Sequence, residues 1–103
     1  MNLKSETLKA VDGRTIVWAK VMRDAFARGG YFEAADEYFV LAPGYTDADL
    51  AEFYEKMNFE YDNGFGMQQV EGTIVFADGT WLTRGEYDGS EWWQDHKCPA
   101  WHE

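Results

Sequence analysis

The groups best able to do chemistry lie near the C-terminal end. Asp95-His96-Lys97-Cys98-Pro99-Ala100-Trp101-His102 brings a carboxylate, two imidazoles and a thiol within eight residues. Thiolate and neutral imidazole are good donors to a borderline metal such as zinc. The spacing, however, matches no zinc pattern. A Cys98–His thiolate couple would also need an orienting Asn or Asp and an oxyanion site, and no motif announces them. Nineteen acids offer many carboxylate pairs for acid–base work, so the existence of a pair such as Glu52 with Glu55 carries almost no information. Gly64-Phe65-Gly66 is no phosphate loop, because the Walker lysine and hydroxyl residue are missing and the flanking acids repel phosphate. No catalytic residue and no cofactor is expected. A small metal protein or enzyme using His96, Cys98 and His102 ranks behind two binding roles.

Charge points toward binding. The formal net charge is −10, unevenly spread along the chain. Residues 1–28 hold six bases against three acids, whereas residues 29–103 hold three bases against sixteen acids. Such a field repels nucleic acid and steers toward basic partners. Between residues 29 and 71 ten acids face a single base, Lys56. Carboxylates ordered on a rigid scaffold can imitate a phosphate backbone, which is DNA binding with the signs exchanged. The candidate contact residues are Asp47, Glu52, Glu55, Glu60 and Asp62, with Tyr54, Tyr61 and Trp93 adding apolar contact.

The remaining bulk properties describe the carrier. With 103 residues, 46% hydrophobic and 17% aromatic, the chain suits one domain over residues 1–103 with a modest core. The lone Cys98 excludes an internal disulfide and fits a reducing compartment. No apolar run follows the N-terminal lysines, and none approaches the roughly 20 residues of a membrane span. A cytoplasmic protein without membrane contact is expected.

Several elements must position these groups. Residues 1–11 are short and mixed, with a short strand conceivable over Leu8–Val11. Asp12 reads as an N-cap for a helix over Arg14–Arg28, where Val17, Trp18, Val21, Met22 and Ala25 follow helical spacing ahead of Gly29. The competing reading makes Asp12-Gly13 a hairpin turn and Thr15–Trp18 a strand. Tyr31–Leu41 reads as a short helix passing into an extended segment. Thr46–Met57 is the clearest helix: Thr46 and Asp49 resemble a capping box, and Leu50, Phe53, Tyr54 and Met57 form one apolar stripe. Asp47, Glu52 and Glu55 then form a solvent-facing ridge.

From Gly72 to His96, two Asp-Gly pairs punctuate runs rich in β-branched and aromatic residues, the signature of a three-stranded antiparallel meander. Taking Asp78-Gly79 as a two-residue loop pairs Phe76 with Trp81, Val75 with Leu82 and Ile74 with Thr83. Taking Asp88-Gly89 likewise sets Gly85 opposite Trp92, Arg84 opposite Trp93, and Glu86 opposite Glu91. By alternation, Ile74, Phe76, Trp81, Tyr87 and Trp92 then face the core. Val75, Leu82, Arg84, Trp93, Glu86 and Glu91 take the other face, where Arg84 and Trp93 make a cation–π pair; that face is either a contact surface or covered by the N-terminal helix or by residues 97–103. The expected fold class is α+β, with two or three helices packed on one face of this three-stranded meander.

The stretch Gly72–Trp93, especially Asp78-Gly-Thr-Trp-Leu-Thr-Arg-Gly-Glu-Tyr-Asp-Gly-Ser-Glu-Trp-Trp93, resembles a C-terminal signature of small proteins carried by bacteriophages and prophages. It covers about a fifth of the chain and transfers no catalytic residue. The resemblance implies a context in which small acidic proteins bind and inhibit host proteins, including restriction and CRISPR nucleases. The leading expectation is therefore a non-enzymatic acidic protein that blocks a basic, nucleic-acid-handling host protein, with DNA mimicry as one route. The alternative is a neutral interaction or homodimeric assembly module, motivated by an aromatic load large for one small core.

Overall fold

The computed structural model describes residues 1–23, 37–61, 69–87 and 90–98. The element order is α1 (Leu3–Val11), β1 (Ile16–Arg23), β2 (Glu37–Leu41), α2 (Asp47–Lys56), β3 (Val70–Phe76), β4 (Thr80–Tyr87) and β5 (Ser90–Lys97). The strands form one antiparallel sheet in the order β2-β1-β3-β4-β5. Both helices lie on one side of it. The class is α+β, but the expected three-stranded meander is two strands short, because β1 and β2 extend it beyond β3.

The segment expected to be a helix from Arg14 is strand β1, and the reason for the false signal is local. A bulge between Ile16 and Trp18 inserts an extra residue, so the buried positions fall at Ile16, Ala19 and Val21. The residues with helical spacing in fact divide between the two faces of an extended chain: Val21 points inward, while Trp18 and Met22 point outward. The β-branched run Thr15-Ile16-Val17 favours the strand. Asp12 does not start a helix and does not form a hairpin turn. It closes α1 in the left-handed region, with φ 50°, and Gly13 follows at φ 75°. These two residues turn the chain directly into β1. Residues 24–36 lie outside the described residues, so the first part of the helix expected from Tyr31 is not placed; residues 37–41 are strand.

Helix α1 replaces the strand considered over Leu8–Val11. Asn2 caps it by accepting from the Ser5 N–H at 3.0 Å, and Leu3, Thr7 and Val11 make its buried stripe. Helix α2 forms as expected. Thr46 Oγ1 accepts from Asp49 N–H at 3.1 Å, and Asp49 Oδ2 accepts from Thr46 N–H at 3.0 Å. Phe53 and Met57 are buried, with Leu50 and Tyr54 packed beside them.

The first hairpin corrects the sheet's two faces. Its connection has three residues, Ala77 to Gly79. Gly79 N–H donates to the Phe76 carbonyl at 3.2 Å with φ 87°, and Asp78 accepts from Thr80 N–H at 2.9 Å. Ile74 therefore pairs with Leu82 and Val75 with Trp81, one residue away from the two-residue-loop register. A slip of one exchanges the faces of everything downstream. Leu82, Arg84, Glu91 and Trp93 join Ile74 and Phe76 on the inner face; Trp81, Tyr87 and Trp92 turn outward. The second hairpin keeps its expected register, Gly85 opposite Trp92 and Arg84 opposite Trp93.

The core lies between the helices and this inner face, with Val21, Val70, Ile74, Phe76 and Leu82 almost wholly hidden. Each such side chain contributes about 1.5–3 kcal/mol over its exposed state. Gly72 permits the β1–β3 approach, since a Cβ there would sit 2.7 Å from the Lys20 carbonyl oxygen.

Candidate functional site

A buried ionic network and an acidic helical layer hold most of the residues whose chemistry the sequence singled out, and an open sheet face forms a third region.

The network sits between α1 and the β4–β5 hairpin. The Arg84 side chain is 1% exposed, with Nη1 3.2 Å from Glu6 Oε2 and Nη2 2.9 Å from Glu91 Oε1. Nη2 also donates to the Tyr61 hydroxyl at 2.8 Å, and Tyr61 in turn donates to Glu6. The guanidinium carbon lies 4.9 Å from the centroid of the Trp93 ring, the expected cation–π pair. Trp93 Nε1 donates to Thr7 Oγ1 at 2.8 Å, which explains a threonine in the buried stripe of α1. Glu91, fully buried, also accepts from the backbone N–H of Gln69 at 2.7 Å and of Val70 at 3.0 Å.

Burial alone would lower the Arg84 pKa, but Glu6, Tyr61 and Glu91 outweigh it and hold the guanidinium charged. Burial, and then the hydrogen bond to Glu6, push the Tyr61 hydroxyl well above the ordinary tyrosine range. Arg84 and Trp93 are thus placed together, but under α1 rather than on a surface. They tie the first helix, the loop before β3 and the last hairpin into one unit. The like-charge opposition of Glu86 and Glu91 is relieved by Arg84 and two backbone donors.

The remaining candidates are exposed. Asp47, Glu52 and Glu55 lie on α2, and Glu60 follows the helix. Several have local cations: Glu52 sits 3.2 Å from Lys56 Nζ, Glu55 3.0 Å from Lys4 Nζ, and Glu60 3.1 Å from the N-terminal ammonium. The hydrogen bond from Lys4 holds the Glu55 carboxyl below the usual carboxylate range. Tyr54 is partly buried, and burial raises its hydroxyl above the ordinary range. Asp62 lies outside the described residues. A cleft of about 340 Å³ beside this layer is lined by Asp49, Glu52, Lys56, Tyr45 and the turn at Pro43-Gly44.

The C-terminal ligand candidates disperse. His96 stacks on Trp81, ring centroids 5.5 Å apart, with a ring nitrogen 2.6 Å from Thr83 Oγ1. Asp95 pairs with Arg14 at 2.8 Å, and Cys98 is exposed. His102 lies outside the described residues, and among those described no group of three potential metal ligands gathers.

The region that sequence reasoning missed is the outer sheet face. Across β2, β1, β3, β4 and β5 it presents Tyr38, Trp18, Val75, Trp81 and Trp92 in turn. Tyr38 is 54% exposed, Val40 59% and Tyr87 77%. The Trp92 indole lies flat across Gly85, where an added Cβ would meet it at 2.7 Å. Among the described strand positions, Lys20 and Glu71 are the charged Lys, Arg, Asp or Glu residues on this face. The signal lay in the three-residue connection, since the correct register alone turns Trp81, Tyr87 and Trp92 outward. No helix among the described residues is long and apolar enough to cross a membrane. Comparisons with protein families, curated proteins and solved structures return no match to this chain.

Proposed function

We propose that this is a non-enzymatic acidic binding protein, of the phage type its C-terminal run resembles, that engages and blocks a basic, nucleic-acid-handling host protein in the cytoplasm. The observation that carries the reading is the segregation of charge by layer. The carboxylates Asp47, Asp49, Glu52, Glu55 and Glu60 stand on the helical side, while the outer sheet face carries one acid and one base among its described positions. An acidic layer on a rigid support steers a cationic groove toward it and holds an array of acceptors in place. Lys4, Lys56 and the N-terminal ammonium temper that layer locally. Such exposed pairs are weak enough for a partner's arginines to displace the native cations. Direct nucleic-acid binding runs against the chain's charge of −10.

The test is capture from a bacterial lysate at low and high salt, followed by activity assays of the captured nuclease or DNA-binding protein. Basic nucleic-acid-binding proteins are expected at about 0.05 M salt and their loss near 0.5 M, where screening shortens the reach of surface charge. The combined variant Asp47→Asn, Glu52→Gln, Glu60→Gln is expected to lose capture while remaining folded. Salt-independent capture, or full capture by this variant, removes the reading.

A further inference from the structure

We infer that the outer sheet face is covered by a second copy of this chain, in a face-to-face homodimer with the two acidic helical layers turned outward. The inference concerns a different surface from the one used above and stands without it.

The extent of the face suits such a contact. Five strands about 4.8 Å apart and roughly 25 Å long give a footprint of about 600 Å² before side-chain relief. A stable interface uses about 800 Å² per partner, of the same order as this face. Trp18, Tyr38, Val40, Tyr87 and Trp92 supply its exposed large apolar side chains. Sheets also pack well through such faces, about 10 Å apart and aligned within about 30°.

Charge selects the partner. A strongly basic protein is drawn to the helical layer, and a polyanion is repelled by the chain. The outer face suits a neutral, apolar, sheet-shaped surface, and the chain itself presents one. The two charged side chains among its described positions, Lys20 and Glu71, are complementary. Lys20 of β1 pairs in register with Thr73 of β3, and Glu71 lies two residues along the same outward row. Lys20, Glu71, Trp18, Met22 and Tyr38 line one outer cleft of about 340 Å³. A two-fold axis through this region sets Lys20 of each copy against the other's Glu71, so the interface satisfies its own charges. The acidic layers lie beyond the two sheets, farther apart than the roughly 8 Å screening length at physiological salt.

The two associations therefore respond oppositely to salt. Self-association by the outer face holds or strengthens as salt rises, whereas capture of a basic partner falls. Sedimentation velocity of the full chain, from low micromolar to about 0.2 mM in physiological salt, is expected to show a monomer–dimer equilibrium. Val40→Glu and Tyr38→Glu, both at exposed positions, are expected to weaken the dimer at least tenfold with unchanged circular dichroism. Lys20→Glu and Glu71→Lys should each weaken it, and the double exchange should restore it. A chain that stays monomeric across that range overturns the inference. So does a dimer indifferent to all four substitutions, or a double exchange that fails to recover. Where a substitution disturbs folding, acrylamide quenching of tryptophan fluorescence in the unaltered chain decides: quenching should fall with concentration, and constant quenching contradicts the dimer.

Discussion

The two faces of the sheet carry comparable aromatic and aliphatic side chains but distribute charge in opposite ways. The inner face takes an arginine and two carboxylates out of water and satisfies them with one another, a hydroxyl and two backbone donors. The outer face exposes Trp18, Tyr38, Val40, Tyr87 and Trp92, with Lys20 and Glu71 as its charged pair among the described positions. The difference teaches that hydrophobicity alone does not identify the inside of this sheet. What marks the inner face is the mutual pairing of its buried charges, even though Arg84 Nε meets no hydrogen-bond acceptor among the described residues. A buried ion network of this kind fixes register and helix placement, because Glu6, Tyr61, Arg84 and Glu91 fit together in one alignment of α1 and the last hairpin.

The largest effect expected from breaking that contrast comes from Arg84. Arg84→Met strands Glu91 and Glu6 without their cation and should cost about 3–5 kcal/mol in urea unfolding. A loss below about 1 kcal/mol would mean that the network does not hold the inner face together.

Next is Tyr61→Phe, which removes the hydroxyl shared by Arg84 and Glu6 and should cost about 1.5–3 kcal/mol. It also changes the alkaline limb. The Tyr61 hydroxyl is held above its unfolded value, so its contribution is complete below about pH 10 and is lost as pH rises toward the folded pKa. The native chain should lose stability over that window, with phenolate absorbance rising as it unfolds. Tyr61→Phe should be flatter there, and an equal slope would contradict the assignment.

The smallest effect belongs to the outer face. Tyr87→Ser, measured at a dilution that keeps the chain monomeric, should shift stability by no more than about 0.5 kcal/mol. A large loss would show that the outer face is braced within the monomer and erase the contrast.

Legibility in the sequence followed the locality of the cause. Helix α2 could be read because Thr46, Asp49 and the stripe through Phe53 and Met57 lie within one short run. The β4–β5 register could be read because Tyr87 and Ser90 flank a two-residue Asp-Gly connection. The first Asp-Gly pair looked equivalent, but Asp78 uses its side chain to hold Thr80 and Gly79 takes the left-handed position of a three-residue loop. That one residue hid both the Arg84 network and the open face. Strand β1 was obscured because apolar residues occupy both of its faces, and its pairing with β3 depends on Gly72, half a chain away. The acidic ridge Asp47, Glu52 and Glu55 was legible because a helix periodicity places it. Its partial neutralisation by Lys4 was not, because α1 reaches α2 only in the folded chain.

On this reading the two layers carry separate binding roles, acidic on the helical side and neutral on the sheet. Lysate capture at low and high salt tests it most directly when run on three proteins: the native chain, the Asp47→Asn, Glu52→Gln, Glu60→Gln variant, and Val40→Glu. Salt-sensitive capture of basic proteins is expected from the native chain and from Val40→Glu, and none from the neutralised variant. Capture lost in Val40→Glu but kept by the neutralised variant would contradict this reading.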